Sequence, residues 1–581
     1  MTRLSVKTLN SWLRIKLLSK TSLILFLILL LSILLRTLYL GEIPGILQND
    51  EIANTYGTRF ILIHGIDLYA NPFPLFYLDK FGDFPPVLPM YLSGLGTILF
   101  GANEFGARIL IALSGAIIVI PAFSIGLSIF KNKISALFLA LLFAIFPGHI
   151  VLSRFNAEAV VALTVYMIAI AIFLGVNQLK SKASFLTMLI SFLLFLLTYF
   201  LYPSYRILIP LTAIGIVVYQ YHQQKKFKRI YPYIIFTLVS ILLTFWISST
   251  DWGKGRFDQT SVFSPVSGVA QKIQALVFNE DSILIARIFN NKAIGFGREF
   301  LTQYSQYFSL DYLFGESARP MMYNVPYMGL LLLAIIPLII ISIFKPIQKL
   351  NKDISYPSFL FILFLILISP ISAALTVVDV PSAQRALLTP ALILFIAAYG
   401  FNSLLHFNKF KKYIFISLSI LIICEGVFFL HQYFQNYNYY TSRWRNDGNR
   451  QVVEYIRDNR KNFDKVVVTS EEAWLPAYYL FYSNIYDKTM AGTFKQNFRV
   501  PKVENIYFTD KSCPSTDVLA AVDAKNLSIN TILIIDSVDC PQYNNEENSI
   551  LHKITTIKRQ NEMDIFTIYE VDLRKKEMSL K

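Results

Sequence analysis

Two adjacent carboxylates, Asp50 and Glu51 in LQNDEIANTYGTRF, stand just beyond the first long apolar run of the chain. Further along, LDKFGDFPP carries Asp79, Lys80 and Asp83, and HIVLSRFNAEA carries His149, Arg154 and Glu158. Arginines then recur between apolar runs: Arg206 in YPSYR, Arg256 (near Asp251) and Arg319 within 249–325, and Arg385 (near Asp379) in VVDVPSAQR. A carboxylate can take the proton from a hydroxyl as that oxygen attacks an electrophilic carbon. An arginine at a helix end suits phosphate, because its planar fork binds two oxygens at once. Arg206 and Arg385 share a setting, each expected to open an inward-running helix with a proline four or five residues on. These are the groups needed to move a sugar from a lipid phosphate to a hydroxyl. Asp50 would be the base, and Arg206 and Arg385 would stabilise the departing phosphate. Taken singly, each charged residue at the end of an apolar run reads as a solvated or snorkelling side chain. Their convergence on one membrane face is what points to chemistry.

That convergence depends on how the chain threads a bilayer. The 581 residues are 54% hydrophobic and only 16% charged, where soluble proteins carry nearer a quarter. Uninterrupted apolar runs recur from Thr21 to His431, many close to the roughly 17–25 residues that cross a bilayer. The net charge of +15 is gathered in short clusters between those runs, such as Lys131 and Lys133, Lys225–Arg229, Lys345–Lys352 and Lys409–Lys412. This pattern is that of cytoplasmic loops and argues against a nucleic-acid partner. The first run, Thr21 to Leu40, is too long for a signal peptide and no small-residue cleavage site follows it.

With the basic N-terminus inside, spans are expected near 21–40, 109–130, 134–150, 159–176, 185–202, 207–221, 232–248, 326–344, 357–373, 386–402 and 413–431. Every basic cluster then falls on the cytoplasmic side. The short apolar stretch 87–100 is read as an interfacial or re-entrant helix. The expected fold is mainly α, a polytopic transmembrane helix bundle of about eleven spans over 1–431. Its external loops cover 41–108 and 249–325. Residues 432–581 change character: NRQVVEYIRDNR reads as an amphipathic helix, and KVVVTS, TILIID and DIFTIYEV read as strands. They predict a small extracytoplasmic α/β domain.

Of the three cysteines, Cys424 lies in the last run and reads as packing. Cys513 and Cys540 fall in the external domain, where an oxidising compartment permits a disulfide; spacing alone leaves their pairing open. The six histidines are scattered and no CxxC or HExxH occurs, so no metal site and no cofactor are predicted from spacing.

These residues resemble a known family. GDFPPVLPMYLSGLGTILFGANEFGARILIALSGA, FPGHIVLSRFNAEA and AQRALLTPALILFIAAYG, together with Asp50-Glu51 after the first span, are similar to motifs of the GT-C-fold glycosyltransferases. The likeness is to bacterial relatives of dolichyl-phosphate-mannose–protein mannosyltransferase and of the aminoarabinose transferase acting on lipid A. It covers roughly the first 210 residues well and the rest loosely. By that resemblance Asp50 matches the catalytic base and Glu51 its neighbour, while Arg154 and Glu158 match a polar cluster of the second external loop. The latter pair is equally spaced for an ion pair on one helix face, and Asp50-Glu51 for an acidic helix start.

Many relatives carry Lys immediately before the paired prolines, where this chain has Phe84. Lys80 or Arg59 would have to replace it at the donor phosphate, with Asp83 nearby. The family uses a polyprenyl-phosphate-linked sugar, and some of its members a divalent metal. The implied activity is inverting transfer to a hydroxyl of protein, lipid or glycan at the outer face of the cytoplasmic membrane. The rival readings are a flippase of lipid-linked sugars, which would place its ionisable groups near the bilayer midplane, and a non-enzymatic assembly protein.

Overall fold

The structure is a computed structural model. It describes residues 19–79, 84–176, 181–224, 230–344, 355–405, 411–470, 474–496, 502–510, 512–523, 531–544 and 550–572. Among the described residues the chain is mainly helical with one six-stranded sheet. It divides into two compact units, one of Met1–Leu38 with Ile111–Phe434, the other of Tyr39–Leu110 with Gln435–Lys581. By contact, residues 39–110 thus fold with the C-terminal chain, far from them in sequence.

The first unit is a set of apolar helices. Among the described residues, six helices are long and apolar enough to cross a membrane: Lys20–Thr37, Glu104–Phe130, Glu158–Val176, Tyr231–Ser249, Tyr356–Ala374 and Lys412–Trp444. Lys133–Ala144 and Pro147–Ser153, bent by 51°, add a seventh if counted as one. Ser184–Phe200, Leu333–Phe344 and Leu388–Leu404 are shorter apolar helices, and Tyr205–Gln224 carries Pro210 inside it. Helix thus occupies all eleven expected runs in whole or in part. The chain is a multi-pass membrane protein.

One run, 326–344, differs from expectation over its first seven residues. Over 326–332 the backbone is not helical, yet Leu330, Leu331 and Leu332 are buried. Buried backbone away from water must find partners. Gly148 donates to the Leu330 carbonyl at 3.0 Å, and Leu331 donates to the Leu313 carbonyl at 2.8 Å. The amides of Leu333 and Ala334 donate to the carboxylate of Glu425 at 2.6 and 2.7 Å. Glu425, a charge inside the last apolar run, therefore serves as the cap of a helix start.

The second unit is built on the sheet. Its strands are β1 Lys465–Ser470, β2 Lys502–Val503, β3 Ile506–Asp510, β4 Thr531–Ser537, β5 Leu551–Lys558 and β6 Asp564–Asp572, in the order β2-β3-β1-β4-β6-β5. β3, β1 and β4 run parallel, and the outer pairings are antiparallel. Alternate residues of a strand face opposite sides. Val466, Val468, Leu533 and Ile535 meet one core, and Val467, Ile532 and Ile534 the other. The first core also takes in Ile52, Tyr56 and Phe60 of the helix Asn49–His64 and Tyr478 and Phe481 of the helix Trp474–Tyr482. The helix Met90–Phe100, eleven residues long and so about 16 Å, is too short to span. It crosses Asn49–His64 so closely that a Cβ on Gly94 would lie 2.8 Å from the Thr58 carbonyl carbon.

Cys513 and Cys540 are joined as a disulfide, their Cα atoms 5.5 Å apart. It links the segments that follow β3 and β4. Cys424 is exposed, so the expectation that it is a packing residue fails: its helix turns that face away from the protein.

Candidate active site

Asp50 and Glu51 are the second and third residues of the helix Asn49–His64. Neighbours on a helix point about 100° apart, and here they part company: Asp50 is exposed and Glu51 is 1% exposed. Glu51 meets Arg108 through two parallel bonds of 2.8 Å, Nε to Oε1 and Nη2 to Oε2. Its Oε2 also accepts the Gln48 amide at 3.1 Å, closing the first turn. Both carboxylates lie where the helix dipole favours negative charge.

Arg108 is fully buried and uses the rest of its fork on backbone. Nη1 donates to the carbonyls of Pro44 at 2.6 Å and Gly45 at 3.0 Å, and Nη2 to that of Ile46 at 3.3 Å. The segment leading to Asp50 is held from the other side by the C-terminal chain. Asn438 Oδ1 accepts the Gly45 amide and Nδ2 donates to the Glu42 carbonyl, both at 2.9 Å. The Tyr478 hydroxyl donates to the Leu47 carbonyl. Burial, and then the charge of Glu51, push the Tyr478 phenol well above its ordinary value, so it keeps its proton and stays a donor. Gly45 sits against Arg445: a Cβ there would be 2.8 Å from Nη1, so a larger residue would have to move the guanidinium. A second tie lies beyond: Glu104 accepts from Tyr482 at 2.8 Å and from Arg450 at 3.1 Å.

In the membrane unit, Arg154 is buried and faces the first helix. It donates to the carbonyls of Leu35 at 3.1 Å and Leu38 at 2.6 Å and to the Tyr433 hydroxyl at 3.1 Å, capping the end of Lys20–Thr37. Arg36 returns the favour. It donates to the carbonyls of Phe143 and Ala144 at 3.1 and 3.0 Å, where Pro147 brings the helix Lys133–Ala144 to its bend. Its Nη2 lies 2.9 Å from His149 Nδ1. A guanidinium can only donate, so Nδ1 must be the acceptor. Glu158 opens the helix Glu158–Val176 and is half-buried.

Arg206 is in the first turn of Tyr205–Gln224, its guanidinium 4.9 Å above the Trp252 ring. Pro210 has no amide to give the Arg206 carbonyl, and Thr244 of the neighbouring helix donates to it instead at 2.8 Å. Arg385 does not open its helix as Arg206 does: it lies in the turn before Leu388–Leu404. Its Nη1 donates to Thr376 Oγ1 at 3.2 Å and to the Val378 carbonyl.

Asp50 and Glu51 thus belong to one unit, and Arg154, Glu158, Arg206 and Arg385 to the other. Lys80 and Asp83 lie outside the described residues. Phe84 packs edge-on against Tyr77, ring centroids 5.5 Å apart. Among the described residues no three His, Cys, Asp or Glu gather to hold a metal ion. Arg108 was legible as the arginine opening the second span, and Arg36 as a lone charge in an apolar run. Nothing in the sequence marks Asn438 or Tyr478 as side chains that hold the segment before Asp50. Chemically, the second unit offers a solvent-facing carboxylate on a rigid helix start, with its neighbour locked away by a buried cation.

Residues 83–248 match the family model described as dolichyl-phosphate-mannose-protein mannosyltransferase, which bears out the resemblance read from the motifs. No curated protein matches the chain significantly. Among solved structures, the chain is similar to ArnT from Cupriavidus metallidurans bound to undecaprenyl phosphate, at 12% identity and a TM-score of 0.46. It is also similar to ArnT from the same organism in the apo state, at 13% identity and a TM-score of 0.42. In both cases 95% of this chain and 98% of the other are covered.

Proposed function

We propose that the chain is an inverting glycosyltransferase acting at the outer face of the cytoplasmic membrane, moving a sugar from a polyprenyl-phosphate carrier to a hydroxyl of protein, lipid or glycan. The observation that carries the reading is Asp50, exposed at a helix start while the adjacent Glu51 is locked onto Arg108. The matched family model, which names a dolichyl-phosphate-linked mannose donor and a protein acceptor, supports this class of donor. In this reading Asp50 takes the acceptor proton as the hydroxyl oxygen attacks the anomeric carbon. The bond from that carbon to the phosphate oxygen breaks, and the phosphate leaves with the electron pair. A single displacement inverts the configuration. Arg206 and Arg385 stabilise the leaving phosphate; Lys80, Asp83, Arg154 and Glu158 are secondary candidates on the donor side. Glu51 acts by positioning. The N-terminus is cytoplasmic and the sheet domain extracytoplasmic, with a divalent metal left as a variable of the assay.

The test is transfer from a panel of radiolabelled polyprenyl-phosphate sugars to membrane acceptors, comparing the purified protein with Asp50→Asn. A base contributes roughly 10²–10⁴-fold, so the variant is expected to lose transfer by that factor while still binding donor. Equal activity in the variant removes Asp50 from the role. Consumption of no donor in the panel, with flipping of lipid-linked sugar in liposomes, replaces the enzyme reading by the transporter.

A further inference from the structure

We propose that the segment Val269–Phe289 is a membrane-surface anchor, its apolar tip lying in the acyl-chain border of the leaflet next to it. The segment forms two short helices, Val269–Phe278 and Ile283–Phe289. At ten and seven residues, about 15 and 10 Å long, neither can span. The first keeps Val269 and Ile273 inward, in a cluster with Val262 that Phe296, Leu375 and Val377 cover. The second keeps only Ala286 inward. What they leave outside is large and apolar: Phe278 is 93% exposed, Ile283 75%, Leu284 69% and Phe289 64%, with Ile285 and Ile288 also exposed. On the second helix Leu284, Ile285, Ile288 and Phe289 share one face by their spacing. A contiguous patch of this kind marks an interaction surface.

The surroundings identify the bilayer as its occupant. The segment belongs to the membrane unit, and the helix Asp251–Thr260 follows directly on the candidate span Tyr231–Ser249. That span turns Leu242, Phe245 and Trp246 outward, as a lipid-facing helix does. The outward apolar surface continues through Phe257 and Phe263, whose rings stack, and Phe263 touches Phe296. The segment's supports are also pinned to the end of a second candidate span, Tyr356–Ala374. Val262 donates to the Leu375 carbonyl and Val377 to the Thr260 carbonyl, both at 2.9 Å, and the Tyr304 hydroxyl to the Leu367 carbonyl at 2.6 Å. The patch therefore starts at the level where spans end. Exposed Lys272, Arg287 and Lys292 border it, where cations meet lipid phosphates. The acidic turn stays at headgroup level, with Glu280 Oε1 held by Asn290 Nδ2 at 3.0 Å. The proposal rests on the membrane reading of the chain and not on its catalytic activity.

Nitroxide labels at Phe278→Cys and, separately, Leu284→Cys test it in a Cys424→Ser background, since Cys513 and Cys540 are paired. The full-length protein goes into vesicles of phosphatidylethanolamine with a minority of phosphatidylglycerol, and a label at Lys558→Cys, an exposed site on β5, is the aqueous control. Relaxation by oxygen is compared with relaxation by a water-soluble nickel chelate. Both labels are expected to be reached by oxygen and shielded from nickel, at a depth of roughly 5–10 Å below the headgroups. Nickel access equal to the control overturns the proposal. Shielding from both reagents also overturns it, and assigns the patch to a protein partner or a second copy.

Discussion

The segment that leads to Asp50 and the hairpin that carries Arg385 are both irregular polar stretches delivering a charge to a helix, and they are held in opposite ways. Carbonyls between Glu42 and Leu47 accept hydrogen bonds from side chains far away in sequence, those of Arg108, Asn438 and Tyr478. The hairpin is held by its own membrane unit. Arg319 donates to the Pro381 carbonyl at 2.8 Å, Ala383 to the Arg319 carbonyl at 2.9 Å, and Arg385 folds back onto Thr376. The carboxylate therefore depends on residues beyond 435 for its position, whereas the arginines do not. A C-terminal domain that looks like an appendage along the chain is, by contact, the support of the proposed base.

The contrast is broken most severely at Arg108. Arg108→Ala leaves Glu51 buried without its cation, a change that costs about 3–5 kcal/mol. A lower unfolding temperature and loss of transfer are expected together, measured by thermal unfolding in detergent and by the transfer assay. Arg108→Lys does not restore either, because an ammonium cannot reproduce two bonds to Glu51 and three to backbone.

On the other side, Arg385→Ala is expected to leave the unfolding temperature near that of the wild type. The Michaelis constant for donor should rise about ten- to hundredfold, the worth of a charge-assisted bond of roughly 1.5–3 kcal/mol. An unchanged constant would take Arg385 out of phosphate binding.

Tyr478→Phe sharpens the comparison, since it removes one donor from the Asp50 segment and nothing from the arginines. An unpaired buried carbonyl costs about 1–3 kcal/mol; turnover is expected to fall while donor affinity holds. The phenol is raised above its ordinary value, so its contribution is fully present below about pH 10 and is lost as pH rises from there through the raised folded value. Transfer should therefore show no step from this group near neutral pH. The smallest effect is expected from Thr244→Val, which strips the Arg206 carbonyl of its partner at about 1 kcal/mol and leaves transfer nearly unchanged. A large loss there would mean that Arg206 is positioned through its backbone.

Much of the fold was legible. KVVVTS, TILIID and DIFTIYEV became β1, β4 and β6, and NRQVVEYIRDNR became the helix Asn449–Asn459, because period-2 and period-3.6 patterns are local properties. The apolar runs became helices for the same reason. The exception, 326–332, carries Pro326 and Gly329, which disfavour helix, but composition cannot reveal that Gly148 and Leu313 satisfy its backbone and Glu425 the amides just beyond it.

For the site, the chain order of residues was enough to nominate Asp50 and Glu51, since an acidic pair after an apolar run must start near a membrane surface. Separating their roles required the folded chain. Only burial against Arg108 turns Glu51 into a brace and leaves Asp50 exposed. Likewise Arg154, which sequence motifs placed beside Glu158 as a polar pair, is found capping the end of the first helix. Hydrophobic pattern and residue type are written one residue at a time, so they survive translation into a string of letters. Which long side chain reaches which distant carbonyl is set by packing between segments hundreds of residues apart, and that information exists only once the chain has closed on itself.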